Sequence, residues 1–260
     1  MIKCGITGHT GNLGSALIKT NKNIKFFKFN GDITNKNLVK KWISSNDFEY
    51  IIHLAAIVPT KKVLKKYKLA KKVNFVGTKN IVDSLLKSKK KISWFFFAST
   101  SHVYAFSKKK IKETNKIKPI SKYGKTKLFA ENYIRKKLAK NNVKFCIGRI
   151  FSIYDNKNNN FLVSNLKKQM SYKKDKIILS NLNHFRDFVT TKYIAKVIVF
   201  LMKKKINGLI NIGSGKKTHL SKIAIEMASK YKKKLQIIEN INPTTMVSDI
   251  SKLKRMGFKK

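Results

Sequence analysis

An apolar run, Ile2-Lys-Cys-Gly-Ile-Thr7, leads without interruption into Gly8-His-Thr-Gly11-Asn-Leu-Gly14, and a helical pattern covers Asn12–Thr20. A strand that turns through glycines directly into a helix is the opening of a βαβ unit, and it commits the chain to a parallel sheet. Glycines there let the backbone approach a pyrophosphate, whose charge the first amides of the helix favour. The alternation continues downstream. Strands are predicted over Ile24–Phe29, Tyr50–Ala55, Ile92–Ala98, Lys144–Ile150 and Gly208–Ile212. Helices are predicted over Asn35–Ser44, Leu64–Ser88, Tyr123–Lys140, Leu162–Met170, Lys192–Lys203 and Leu220–Lys230. Short strands separated by helices predict an α/β fold with a doubly wound parallel sheet. After the asparagine-rich stretch Asp155–Asn160 the pattern becomes irregular, which predicts a small, discontinuous C-terminal lobe. The sheet domain is assigned to residues 1–155 plus about 186–212, and the lobe to about 156–185 and 213–260.

The chain has 260 residues and a net charge of +47, which invites a nucleic-acid reading. Only four of its 59 basic residues are arginines, namely Arg135, Arg149, Arg186 and Arg255. Specific readout of bases leans on the bidentate guanidinium fork, so no specific nucleic acid is expected. The excess is lysine, accompanied by 24 asparagines and 31 isoleucines, all with A/T-rich codons, and a biased genome accounts for that triad. The resulting field still draws polyanionic ligands such as nucleotide diphosphates. No apolar stretch reaches the ~18 residues of a membrane span, and no basic-then-apolar leader precedes the first strand, so the expected location is cytoplasmic. Cys4 and Cys146 lie in apolar, strand-like surroundings far apart in sequence, as buried thiols do, and no metal site is expected.

Chemistry concentrates in Tyr123-Gly-Lys-Thr-Lys127. Residues four apart on a helix share a face, so Lys127 stands one turn from Tyr123. A phenol with a pKa near ~10 is a poor base at neutral pH, and a neighbouring ammonium is expected to lower it into the range of acid/base work. Ser99, Thr100 and Ser101 each place a hydroxyl at the end of a predicted strand. His102 follows them, either as a proton-transfer group or merely hydrogen-bonded. His53-Leu-Ala-Ala56 ends another strand, where small residues serve close approach to a ligand or tight packing equally well.

Taken together, Gly8/Gly11/Gly14, Leu54-Ala-Ala56, Asn74-Phe-Val-Gly-Thr78, Ser99-Thr-Ser-His-Val-Tyr104, Tyr123–Lys127 and Arg149 resemble the extended short-chain dehydrogenase/reductases, the NAD-dependent epimerase/dehydratase family. Arg186-Asp-Phe-Val189, Asn211-Ile-Gly-Ser-Gly215 and Asp249-Ile-Ser-Lys252 extend the resemblance along the chain. It implies a Rossmann domain with a substrate lobe, NAD or NADP as cofactor, a nucleotide-sugar substrate, and a homodimer formed through the helices containing Leu64–Ser88 and Tyr123–Lys140. It implies that Gly8, Gly11, Asn12, Leu13, Gly14, Asp32, Ile33, Leu54, Ala55, Ala56 and Asn74 contact the cofactor. Tyr123 would be the acid/base, its phenolate favoured by a positively charged nicotinamide as well as by Lys127; Lys127 would hold the nicotinamide ribose, and Thr100 would share the substrate oxygen. Asn160 and Arg186 would contact substrate, Arg186 meeting its diphosphate; the alternative for Arg186 is a salt bridge to Asp187. Asp32 either binds the adenosine ribose or belongs to a Gly-Asp-Ile segment facing adenine. The second is favoured, and it leaves a 2′-phosphate tolerable beside Lys28. The family's dehydratases carry Asp-Glu where this chain has Ser101-His102, so dehydration is not expected. The implied activity is hydride transfer at a sugar carbon, as a 4-epimerase or a 4-keto reductase; the alternative is a non-catalytic member that binds nucleotide or RNA. Relatives of this kind continue with a further helix after the position of Gly257-Phe258.

Overall fold

The computed structural model describes residues 1–58, 60–154, 162–171 and 175–259. In chain order the first half comprises β1 (Ile2–Thr7), α1 (Asn12–Thr20), β2 (Ile24–Lys28), α2 (Lys36–Ser45), β3 (Tyr50–His53), α3 (Thr60–Lys65), α4 (Tyr67–Lys71), α5 (Thr78–Lys87), β4 (Trp94–Thr100) and α6 (Lys122–Lys140). The second half continues with β5 (Phe145–Ile150), β6 (Ser152–Tyr154), α7 (Leu162–Met170), β7 (Lys176–Ser180), β8 (His184–Arg186), β9 (Phe188–Thr190), α8 (Thr191–Lys203) and β10 (Gly208–Ile212). It ends with β11 (Thr218–His219), α9 (Leu220–Lys230), β12 (Lys234–Ile238), β13 (Thr244–Met246) and α10 (Ser251–Arg255).

Six strands form one parallel sheet in the order β10-β5-β4-β3-β1-β2. Strand β4, Trp-Phe-Phe-Phe-Ala-Ser-Thr, shows why it is covered on both sides. Trp94 and Phe96 pack into one core with Leu17 of α1 and Ile194, Ile198 and Met202 of α8. Phe95 and Phe97 point the other way, into a second core with Val39 and Ile43 of α2, Ile81 and Leu85 of α5, and Ile134 and Leu138 of α6. Alternate residues of a strand face opposite sides, so a continuous apolar run demands helices on both. Local chemistry starts those helices: Asn35 caps α2, accepting from the amides of Asn37 and Leu38, while Ser121 and Thr190 cap α6 and α8.

The sheet order places the chain's reversal between β1 and β3, which both run toward the same edge. Such a switch point opens a crevice at the carboxyl ends of the strands. Register brings Thr7 opposite His53, and Ser99 opposite Arg149, at that edge.

Two differences from the sequence expectation have physical causes. The single helix predicted over Leu64–Ser88 is interrupted at Lys66, then widens into a π-turn at Lys72–Gly77 before α5. In that turn Asn74 directs its amide to the backbone of Ile57 rather than along the helix. The C-terminal part also holds more strand than predicted. It contains a three-stranded sheet β11-β8-β13 and the parallel pairs β7–β12 and β6–β9. Its own apolar cluster includes Leu166, Met170, Ile177, Leu179, Leu220 and Ala224. Cys4 and Cys146 are free and buried. Among the described residues, no helix is long and apolar enough to cross a membrane, and no cluster of ligating side chains could hold a metal.

Candidate active site

A cleft of about 790 Å³ opens over the carboxyl edge of β1, β3, β4 and β5. Gly8, Gly11, Asn12, Leu13, Gly14, Asp32, Ile33, Leu54, Ala55 and Ala56 line one part of it, and Thr100, Tyr123 and Lys127 line the other. His9, Phe29 and Ser152 also contribute to the lining.

The glycines do three different jobs. Gly8 has φ +70, and a Cβ there would lie 2.6 Å from the amide nitrogen of Ala55. A Cβ on Gly14 would lie 2.4 Å from the carbonyl oxygen of Gly8. Both are therefore glycine because the strand, turn and helix touch. Gly11 differs: at φ −72 any residue is allowed, and an added Cβ would meet only the Gly8 oxygen at 3.4 Å. The fold leaves room for a side chain at Gly11. Gly11 is also the N-cap of α1, which has no side-chain cap. Amides at an uncapped helix start favour an anion, so the turn fits the pyrophosphate of a dinucleotide. Gly11→Ala is accordingly expected to keep the wild-type melting temperature while losing about tenfold or more in dinucleotide affinity. Gly14→Ala is expected to lose both. Calorimetric titration and thermal melting check this, and a Gly11→Ala protein that binds like wild type would contradict it.

Below the cleft floor, His53 is fixed as a neutral strut. Its Nδ1 lies 2.6 Å from Thr7 Oγ1 and its Nε2 2.9 Å from Thr78 Oγ1, and burial drives its pKa down to about 3. Thr7 Oγ1 also accepts from the amide of Ala55. This holds the Leu54-Ala-Ala56 backbone against the glycine turn.

At the other end, the three hydroxyl-bearing residues at the end of β4 are placed differently. Ser99 donates to Glu131, and Thr100 Oγ1 accepts from the amide of His102 at 3.3 Å. Ser101 is buried, and its carbonyl accepts from Tyr104. All three residues line the cleft, and of their hydroxyl hydrogens it is that of Ser99 that is given to a side chain. Tyr123 stands in the first turn of α6. That turn lies against the backbone of His102, because a Cβ on Gly124 would come within 2.2 Å of the His102 oxygen. A glycine inside a helix costs up to about 1 kcal/mol relative to alanine, so Gly124 was the legible signal of this close approach.

The expected lowering of the phenol by its lysine is not what the site displays. Burial pushes the Tyr123 phenol well above its ordinary value and pulls Lys127 down to about 7, with Glu131 opposing the latter shift. The Lys127 ammonium lies 4.0 Å from the centroid of Phe97. Desolvation of two ionisable groups in one apolar crevice outweighs their mutual influence. In the free protein burial therefore favours the protonated phenol, whereas a positively charged nicotinamide bound beside it would favour the phenolate that takes up a hydroxyl proton.

Behind these residues is a buried polar frame that the sequence did not reveal. Arg149 forms a two-point pair with Glu131, Nε to Oε1 at 3.1 Å and a terminal nitrogen to Oε2 at 2.7 Å, with both side chains at most 1% exposed. The guanidinium stacks on Tyr104, 4.6 Å from the ring centroid, and Tyr104 donates to Asn211. Glu131 lies one turn beyond Lys127 on α6, so the frame fixes the helix that carries the lysine.

Other expected residues sit elsewhere. Asn74 is fully buried outside the cleft lining; its amide holds Ile57 and Thr126. Asp32 lines the cleft, yet both carboxylate oxygens accept from Thr34, which lowers its pKa. Arg186 is outside the lining: it donates to Phe185 and Thr244, lies over Phe106, and is pulled down to about 10 by burial. It is not paired with Asp187 either. That carboxylate is buried and accepts from Ser214, Gly215 and Ser248, tying the Asn211–Gly215 loop to β8–β9. Asn160 lies outside the described residues.

Residues 4–213 match the NAD dependent epimerase/dehydratase family. The chain belongs to that family, and NAD-type dinucleotides are its cofactors. At 30% identity over 79% of this chain and 68% of the relative, it is similar to a protein of Methanocaldococcus jannaschii provisionally assigned as a UDP-glucose 4-epimerase. It is 29% identical to a GDP-6-deoxy-D-talose 4-dehydrogenase of Aggregatibacter actinomycetemcomitans, over 82% of this chain and 75% of the relative. The fold matches that of Thermus thermophilus UDP-glucose 4-epimerase in complex with NAD with a TM-score of 0.86 at 17% identity, covering 99% of this chain and 94% of the other.

Proposed function

We propose that the chain exchanges hydride at a sugar carbon of a nucleotide-activated sugar, with Tyr123 as the proton carrier, Lys127 as the ribose and charge partner, and Thr100 as a hydrogen-bond partner of the reacting oxygen. The observation that carries this reading is one continuous cleft with a pyrophosphate-type glycine turn at one end and Thr100, Tyr123 and Lys127 at the other. Bound there, a nicotinamide dinucleotide would supply the hydride acceptor and donor. The chain's own residues orient the sugar and move its hydroxyl proton. The segments at about 156–185 and 213–260 would form the lobe over the sugar nucleotide, with Arg186 meeting its phosphates after a change of side-chain rotamer.

The form favoured is a 4-epimerase, following the 30% identical relative. A 4-keto reductase is the second reading. It is supported by a phenol that holds its proton, the form needed to protonate an alkoxide as a ketone is reduced. Non-catalytic binding of nucleotide or RNA would leave the half-buried Tyr123 and the buried Lys127 without a use. We also place a homodimer contact on the face carrying the exposed Leu64, Leu69, Val76 and Phe129.

One preparation tests these points. The purified protein is weighed by light scattering, denatured, and its released small molecules identified; a second aliquot is assayed on UDP-glucose and GDP-6-deoxy-D-talose. A dimer releasing NAD and interconverting the 4-epimers is expected. An empty protein that binds NADPH and, with NADP, oxidises GDP-6-deoxy-D-talose to its 4-keto form would select the second reading. A monomer would remove the dimer contact, and RNA binding without sugar turnover would overturn the enzyme.

A further inference from the structure

His102 follows β4 in a 3-10 turn at Ser101–Val103, and its position is determined from three sides. Thr100 Oγ1 accepts its amide, its carbonyl accepts from Ile120 at 3.1 Å, and its ring meets that of Tyr123 edge-on, centroids 5.9 Å apart at 73°. The imidazole Nδ1 is 3.0 Å from Ser121 Oγ. That same oxygen caps α6 by accepting the amide of Gly124 at 3.0 Å.

The capping geometry favours one tautomer. With one lone pair of Ser121 Oγ occupied by the Gly124 N–H, the hydroxyl hydrogen needs an acceptor, and Nδ1 is the acceptor in reach. If Nδ1 carried the hydrogen instead, the hydroxyl would have no acceptor among the described residues. Satisfying both groups puts the imidazole hydrogen on Nε2. Nε2 makes no hydrogen bond among the described residues, while His102 lines the cleft beside Thr100 and Tyr123.

We propose that His102 determines substrate specificity: its Nε2–H donates to an oxygen of the bound sugar, on a carbon next to the reacting one. This deepens the nucleotide-sugar reading and rests on it. The ring is a donor and not a proton carrier. Burial, helped by the Arg186 charge, pulls its pKa down to about 4, so it stays neutral under working conditions. A neutral N–H selects a hydroxyl or keto oxygen and offers nothing to a substituent that can only donate.

Two measurements separate this proposal from the reading beneath it. In 15N–1H spectra at neutral pH, His102 is expected as the neutral Nε2–H tautomer, a result that needs no substrate. An Nδ1–H tautomer or an imidazolium would overturn the proposal. In assays on whichever nucleotide sugar the wild type turns over, His102→Leu is expected to raise the sugar KM about tenfold or more with the dinucleotide Kd unchanged. His102→Gln retains an N–H donor on its side-chain amide and is expected to recover most of that loss. An unchanged KM in His102→Leu would overturn the role of His102 and leave Tyr123 untouched. A wild type that turns over no nucleotide sugar would overturn the underlying reading, and this proposal with it.

Discussion

Tyr123→Phe is expected to lower turnover by about 10²–10⁴-fold while dinucleotide affinity stays within about twofold. The substitution removes one oxygen from a ring that is already half-buried, so packing of α6 changes little. What disappears is the proton. Burial raises the phenol and pulls Lys127, one turn further along α6, down to about 7. Neither Thr100 nor His102 can substitute. A threonine hydroxyl does not ionise near neutral pH, and the imidazole stays neutral with Nδ1 engaged by Ser121. Steady-state kinetics together with calorimetric titration of the dinucleotide check the prediction. Parallel losses in turnover and affinity would mean that the residue is structural.

Arg149→Met is expected to cost about 3–5 kcal/mol of stability, because among the described residues it leaves the buried Glu131 carboxylate with Ser99 alone as a donor. In a chain of this size such a loss lowers the melting temperature by roughly 10 °C. Pairing it with Glu131→Leu removes the orphaned charge, and the double variant is expected to regain much of the loss, since a buried ion pair and an apolar pair of similar volume are often close in stability. Denaturant melts of the two single variants and the double variant test this. A single Arg149→Met variant within about 1 kcal/mol of wild type would show that the pair is not a keystone of the frame.

These two residues mark what could be read in the sequence. The sheet was legible because its strands are long enough to show their burial pattern: Ile2–Thr7 and Gly208–Ile212 occur where predicted, and Trp94–Thr100 lies only two residues beyond its expected place. The glycine turn was legible because a strand, three glycines and a helix in succession have few other uses. Strands of two or three residues, such as Thr218–His219 and His184–Arg186, are too short to carry a period, so the C-terminal sheet was not visible. Asn74 and Asp187 were recognisable as motif positions, yet their side chains bind backbone and loop groups that only the folded chain brings near. In the free protein the phenol shift is opposite to the one expected from the lysine, for a related reason. Spacing of four residues reports that Tyr123 and Lys127 are neighbours, but not how deeply both are buried, and depth decides the sign.

The most direct test of the central claim is a single-turnover experiment. Protein loaded with oxidised dinucleotide is mixed with its nucleotide sugar, and reduced-nicotinamide fluorescence is followed in wild type and Tyr123→Phe. A rise in the wild type, with none in the variant over the same interval, is the expected result. Superimposable traces would mean that hydride moves without Tyr123 taking up the hydroxyl proton, and would contradict the assignment.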